Sequence, residues 1–283
     1  MNLRSIATRT AVTGAITALA AGALVGATSG AANAVEASTD YACSLSSPIQ
    51  SPLGTFNLVV STPVIPPTAT AGQSFPGGLL ALDATLTIPS PTGAALANYK
   101  VDHADATDYA VGLGSTSIAA PIAFGAPTVH EDGSATVLGA AANQPFTLPP
   151  AGTYKAMLPG AFNMDTTIDM GAGPIPATIA CTSDAPGDLG SVQVTKGVSA
   201  IAGKVAKTTK GYKLTAVVDR LGDDVVPAGK VVAKLGTKKI DTKTLKNGKA
   251  VFALPKSAKG KTAKLIYKGD GYTAGKSTSV KIK

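Results

Sequence analysis

The sequence predicts an all-β protein made of two successive β-sandwiches. Three observations carry this. The chain holds 31 Gly and 19 Pro among many Thr, Ser and Val and few Glu, a mix that suits short strands and turns rather than a helical bundle. Apolar residues alternate with polar ones at period two in several stretches. Turn residues recur between those stretches. A length of 283 residues with 45% apolar content is room for about two domains, each with a packed core.

The first 34 residues read as an export signal. Arg4 and Arg9 give a positive start, Ala11 to Val25 is apolar, and Ala32-Asn33-Ala34 supplies a small-x-small cleavage pattern. The run is broken by Thr and Gly, weaker than the roughly 20 strongly apolar residues of a membrane anchor. Arg4 and Arg9 are not adjacent, so this is no twin-arginine signal, and Cys43 lacks a lipid-attachment context. Leu254-Pro255-Lys256-Ser257-Ala258 has the look of a wall-sorting motif, but it lies between two strand patterns and reads as a loop. The expectation is an exported protein with no transmembrane span, secreted or peripherally attached to the cell envelope.

From 35 to 195 the reading is an acidic all-β domain. Strand patterns fall at 55–61, 79–89, 134–138, 153–158, 161–170 and 177–181, with proline-rich turns or edges at 63–67 and 145–150. Leu80, Leu82, Ala84, Leu86 and Ile88 share one face of a half-buried strand. Cys43 and Cys181 are the only cysteines, and in an oxidising compartment two such residues pair. Their bridge would close a loop of about 139 residues, worth about 5 kcal/mol by chain entropy. The C-x-x-C spacing of a redox site is absent.

From 196 to 283 the alternation is cleaner. Tyr212, Leu214, Ala216 and Val218 face one way, as do Val231, Ala233 and Leu235. The same holds for Ala250, Phe252 and Leu254, for Ala263, Leu265 and Tyr267, and for Thr278, Val280 and Ile282. Asn247-Gly248 signals a hairpin. With a first strand near 200–207, about seven short strands fit in roughly 85 residues, the count of an immunoglobulin-like sandwich.

Charge divides the same way. Residues 35–195 carry twelve acids against Lys100 and Lys155, a net of −10; residues 196–283 carry twenty-one basic residues against five acids, a net of +16. The overall +8 hides this asymmetry.

Three segments, Val225-Val226-Pro227-Ala228-Gly229-Lys230-Val231, Leu245-Lys246-Asn247-Gly248-Lys249-Ala250 and Tyr267-Lys268-Gly269-Asp270-Gly271-Tyr272, resemble bacterial immunoglobulin-like repeat domains over about 80 residues. One residue separates Asp270 from Tyr272 where two are usual, which implies a shorter turn. The first part, opened by Tyr41-Ala42-Cys43 and closed by Cys181, is similar to an uncharacterised domain of exported actinobacterial proteins. Neither resemblance implies a catalytic residue.

Candidate sites are few. Two His and two Cys exclude a zinc cluster or an iron–sulfur centre; no cofactor and no metal are expected. Asp102, Asp105 and Asp108 offer oxygen to a calcium ion, but without EF-hand spacing they read as a solvated loop. His103 and His130 lack a nucleophile elbow. Glu131 and Asp132 are adjacent, so on a strand they would face opposite ways. Lys268-Gly269-Asp270 has the form of an adhesive tripeptide but sits at a turn. The stronger candidate is a lysine face. If strands through Val231, Ala263 and Val280 share one sheet, then Lys230, Lys234, Lys264, Lys268, Lys281 and Lys283 share its solvent side. Solubility explains such a face as well as an anionic partner does.

The functional expectation is an exported, non-enzymatic cell-envelope protein. Its basic domain would be held to an anionic cell-wall polymer or an acidic lipid surface, and its acidic domain would serve as a binding or spacer module. The protein's own acidic domain is a further candidate partner. Few aromatics and no Trp argue against specific nucleic acid recognition. The alternatives are a secreted enzyme with a catalytic first domain and an adhesin.

Overall fold

The computed structural model describes residues 35–47, 49–63, 65–169 and 171–283. The expected export signal at 1–34 lies outside the described residues. The strands are β1 (Val35–Ser47), β2 (Ser51–Thr62), β3 (Thr68–Thr70), β4 (Ser74–Phe75) and β5 (Ala81–Ile88), followed by the helix α1 (Thr92–Asn98). Next come β6 (Ala104–Ala106), β7 (Ala110–Leu113), β8 (Thr116–Ala119), β9 (Ile122–Phe124), β10 (Thr128–Val129), β11 (Ala135–Ala142) and β12 (Phe146–Thr147). Then follow β13 (Gly152–Met157), β14 (Ala161–Asp169), β15 (Pro174–Thr182), β16 (Asp188–Thr195), β17 (Ser199–Thr208) and β18 (Gly211–Arg220). The chain ends with β19 (Lys230–Leu235), β20 (Lys238–Thr244), β21 (Lys249–Pro255), β22 (Thr262–Tyr267) and β23 (Lys276–Lys281). Of the segment read as a loop, Leu254 and Pro255 end β21, and Lys256–Ala258 form a short 3-10 turn. The protein is all-β, as its composition predicts.

Up to Thr195 two larger sheets share one core, and β12 pairs with β4 as a separate two-stranded sheet. The larger runs β10-β11-β5-β2-β1-β15-β14-β6-β9, and β9 pairs back onto β11, so the sheet closes on itself. The seam is tight: a Cβ on Gly139 would lie 2.6 Å from a Phe124 ring carbon and 2.8 Å from an Ile122 methyl. Only a residue without a side chain lets β11 approach β9 there. The smaller sheet runs β3-β16-β13-β7-β8. Alternation decides which side chains turn inward: Leu82, Ala84, Leu86 and Ile88 are buried, while Ala81, Asp83 and Thr87 are exposed. Each buried Leu or Ile is worth about 1.5–3 kcal/mol over leaving it in water.

At the centre of this core Tyr41 and Tyr109 both meet Phe162 edge-on, with ring centroids 4.9 Å and 5.5 Å apart, a geometry the ring quadrupoles favour. The Tyr41 hydroxyl donates to the Pro159 carbonyl at 2.7 Å. The Tyr109 hydroxyl is buried with no partner among the described residues. Cys43 and Cys181 stand directly opposite each other on β1 and β15 and are joined by a disulfide.

From Ser199 onward seven strands form two sheets over a second core. One runs β17-β18-β21, the other β20-β19-β22-β23. Tyr212, Leu214, Ala216 and Val218 from one sheet meet Val231, Ala233, Ala263, Leu265 and Tyr267 from the other. The arrangement is an immunoglobulin-like sandwich in which the fourth strand, β20, pairs with β19 rather than β21. Asn247 and Gly248 both take positive φ, 49° and 70°, as a two-residue primed turn requires.

Only Lys196, Gly197 and Val198 separate β16 from β17, and all described residues belong to one compact unit. The Ala151 amide donates to the Gly271 carbonyl at 2.8 Å, and Gly197 donates to Tyr272 at 2.9 Å. Arg220 fills the joint with its side chain fully buried. Its Nη1 donates to the Tyr272 carbonyl at 3.2 Å. Its Nη2 lies 2.9 Å from Asp223 Oδ2, at an angle too poor for a hydrogen bond. It is the only arginine beyond the first nine residues.

Candidate functional site

The outer side of the β20-β19-β22-β23 sheet is built by alternation. Val231 and Ala233 on β19 and Ala263, Leu265 and Tyr267 on β22 point into the core. The intervening Lys230, Val232 and Lys234, and Thr262, Lys264, Ile266 and Lys268, therefore point outward. Register then sets the rows. Lys234 is directly opposite Lys264, which is opposite Ser279. Val232 is opposite Ile266, which is opposite Ser277. Lys268 donates its amide to the Lys230 carbonyl, continuing the ladder. Lys281 lies opposite Thr262 on the same side. Lys283 keeps that parity just past β23, next to the buried Ile282.

The strands through Val231, Ala263 and Val280 thus form one sheet, and their outward lysines gather on one face. The sequence reading missed Lys239. On β20 the register shifts between Ala233 and Lys234, so that Lys239 rather than Ile240 faces Lys234. This bulge turns Ile240 toward the core, where it is partly buried, and aims Lys239 outward. The row Lys239–Lys234–Lys264 therefore places three ammonium groups on three neighbouring strands, about 4.8 Å apart at the backbone.

Like charges directly opposite on a sheet are unfavourable; the carboxylate beside the row is Asp241, which is ion-paired with Lys243 and also feels the Lys239 charge. Among the described residues the ion pairs beyond residue 195 are Arg220–Asp223 and Lys243–Asp241, neither on this row. Val232 points outward yet is only 8% exposed. Its neighbours on the face are Lys230, Lys234, Thr242 and Ile266. The opposite sheet is different. Its outward Lys204, Lys213 and Lys249 are opposed by Thr215, by Ala206 and Ala253, and by Val217. No two of them share a row.

The first region carries the opposite sign. Its two lysines are paired, Lys100 with Asp169 and Lys155 with Asp188, both at 2.8 Å. Each carboxyl is held below its ordinary range, chiefly by the lysine it binds. On the outer side of the closed sheet one lateral row runs Glu36, Ser61, Asp83, Ala140, Ala123, Asp105, Asp165. Four carboxylates therefore lie along one row of exposed positions.

The remaining candidates are engaged locally. His103 Nδ1 contacts the neighbouring Asp102 at 2.5 Å, and that hydrogen bond holds the Asp102 carboxyl low. His130 Nε2 contacts the Thr136 hydroxyl at 2.8 Å. Asp132 accepts from the Ser134 hydroxyl and amide, which hold its carboxyl low. Asp108 accepts from the Asn163 amide and side chain. Asp102, Asp105 and Asp108 do not converge, and no group of three possible metal ligands occurs among the described residues. Asp270 is turned inward: it accepts from the amides of Ala228, Tyr272 and Thr273 and from the Tyr267 hydroxyl. Burial pushes its carboxyl up, but those hydrogen bonds outweigh it and hold the group below its ordinary value. Burial and the Asp270 charge push Tyr267 up to about 12. The adhesive tripeptide is thus a structural turn.

An apolar cavity at one end of the closed sheet is lined by Phe56, Leu86, Leu96, Phe124, Val137 and Met164 among others, without a titratable side chain. No described helix is long and apolar enough to cross a membrane.

No protein-family model matches the chain, and no curated protein matches it. Among solved structures it is similar to fibronectin(III)-like modules of CbhA from Clostridium thermocellum, with 12% identity, covering 85% of this chain and 94% of that one, at a TM-score of 0.24. A likeness that slight carries no argument about fold or function.

Proposed function

We propose that this protein is an exported, non-enzymatic component of the cell envelope, held by its basic immunoglobulin-like region to anionic envelope polymers. The acidic region is then presented as a binding or spacer module. The observation that carries this reading is the separation of charge: −10 over residues 35–195 and +16 over residues 196–283. A field of that size draws an anionic surface to one end of the molecule and repels it from the other. The lysine row on β20, β19 and β22 supplies the contact. The Cys43–Cys181 disulfide fits an oxidising compartment.

The test is fractionation of cells expressing the full chain, with washes of rising salt. The reading expects the protein outside the cytoplasm, on the envelope at low salt and in the wash at high salt. A cytoplasmic protein, or one indifferent to salt, overturns it.

A second reading rests on the carboxylate row Glu36–Asp83–Asp105–Asp165. The lysine face of one copy would dock on this row of another. Sedimentation at low and high salt separates the readings: salt-sensitive self-association in the absence of envelope supports the second.

A further inference from the structure

We infer that the lysine face of the β20-β19-β22-β23 sheet takes a linear polymer with phosphate groups along its backbone, laid across the strands over Lys239, Lys234 and Lys264. This rests on the reading of the basic region as an anion tether and names the chemistry of its ligand.

Charge layout gives the first argument. The row Lys239–Lys234–Lys264 crosses three strands at about 4.8 Å per step. Lys281 lies about 6.6 Å to one side, in the row of Thr262, and Lys230 with Lys268 about 13 Å to the other. Between them Val232 is nearly buried. The result is a dense band of charge with a second pair set apart from it, on an outward sheet face. Binding there gains by neutralising many charges at once.

The donor type gives the second. All the cations on this face are lysines; the single arginine past residue nine is buried at the joint. Arginine's planar fork fits carboxylate and phosphate alike, bidentately, whereas an ammonium group acts as a compact point charge with three radiating donors, the form in which lysine binds phosphate. Such groups suit the phosphate oxygens of a flexible chain.

The third argument separates a chain from a bilayer. Adjacent strands rotate by about 20–25°, so four strands turn the face through roughly 60–75°. A plane meets such a saddle along one line, while a flexible chain follows it. Large exposed apolar residues, the usual interfacial anchors, lie elsewhere, at Val198, Leu221, Val226, Val251 and Tyr272 in this part of the chain. A local rule is also broken here without structural gain, since opposed lysines repel; a bound polyanion supplies the missing counter-charge.

The experiment measures binding of the full chain to long-chain inorganic polyphosphate, to poly-glutamate of equal length, and to phosphatidylglycerol vesicles, each over a salt series. Two triple variants with the same charge change are compared: Lys234→Gln/Lys239→Gln/Lys264→Gln and Lys204→Gln/Lys213→Gln/Lys249→Gln. Polyphosphate should bind more tightly than the other two. The first triple should weaken it about tenfold or more and reduce the logarithmic salt slope by roughly two to three. The second triple should change both far less. Equal losses in the two triples overturn the face. Equal or tighter binding of poly-glutamate or vesicles overturns the phosphate chain, yet leaves the tether itself standing. Binding to none of the three overturns both.

Discussion

The Arg220 guanidinium packs against the Gly197 backbone so closely that a Cβ on Gly197 would lie 2.2 Å from Arg220 Nε and 2.6 Å from Cζ. Gly197 sits in the three-residue connection between β16 and β17, and Arg220 ends β18. The contact locks the connection to the second sandwich. Because the Arg220 side chain is fully buried, it cannot swing away into solvent. Gly197→Ala should therefore force a shift of the joint and destabilise the chain by about 1–3 kcal/mol. Urea unfolding checks this; an unchanged midpoint would show that the joint is loose.

The buried Tyr109 hydroxyl has no hydrogen-bond partner among the described residues, and burial drives its pKa well above the ordinary tyrosine value. An unmade hydrogen bond costs more than its absence in an apolar residue of the same shape. Tyr109→Phe is expected to leave stability unchanged or raise it by about 1 kcal/mol. Tyr41→Phe, which abandons the bond to Pro159, is expected to lower it by a similar amount. Parallel thermal unfolding of the two variants measures the contrast.

Asp270 titrates lower in the folded chain than in the unfolded one. Its contribution is then complete above the unfolded carboxyl value of about 4 and is lost as pH falls through the lower folded value. At neutral pH Asp270→Asn should cost about 1–2 kcal/mol, allowing for partial exposure of the site. The gap between variant and parent should close as pH drops below about 4. Stability curves for both proteins from neutral to acid pH would reveal it.

The opposed lysines of the sheet face repel one another, so removing them should help the fold. Lys234→Gln/Lys239→Gln/Lys264→Gln is expected to raise the unfolding free energy at low salt by roughly 0.2–1 kcal/mol per opposed pair. The gain should vanish at high salt. A variant that gains stability while losing polyanion binding marks the row as kept for function.

Much of this was open to reading in the chain itself. Period-two alternation located β5, β18, β19, β21 and β22 because each has one buried and one wet side. The cysteine pair followed from compartment and number, and the lysine face from alternation together with an immunoglobulin strand order. Three features were hidden. β20 escaped because its bulge at Ile240 breaks the alternation and leaves a mostly polar run, Lys238–Thr244. The closure of the larger sheet depends on β6 and β9, each of three residues, too short for a period to show. Arg220 follows a clear strand and reads as a solvated end; only the tertiary contact with Gly197 and Tyr272 buries it.

The electrostatic tether is tested most directly by co-sedimenting the full chain with purified cell envelopes at stepped ionic strength. The account predicts near-complete pelleting at low salt and a linear fall of log affinity with log salt, from which several released counterions can be counted. Pelleting that ignores salt, or protein that stays in the supernatant even at the lowest ionic strength, would contradict it.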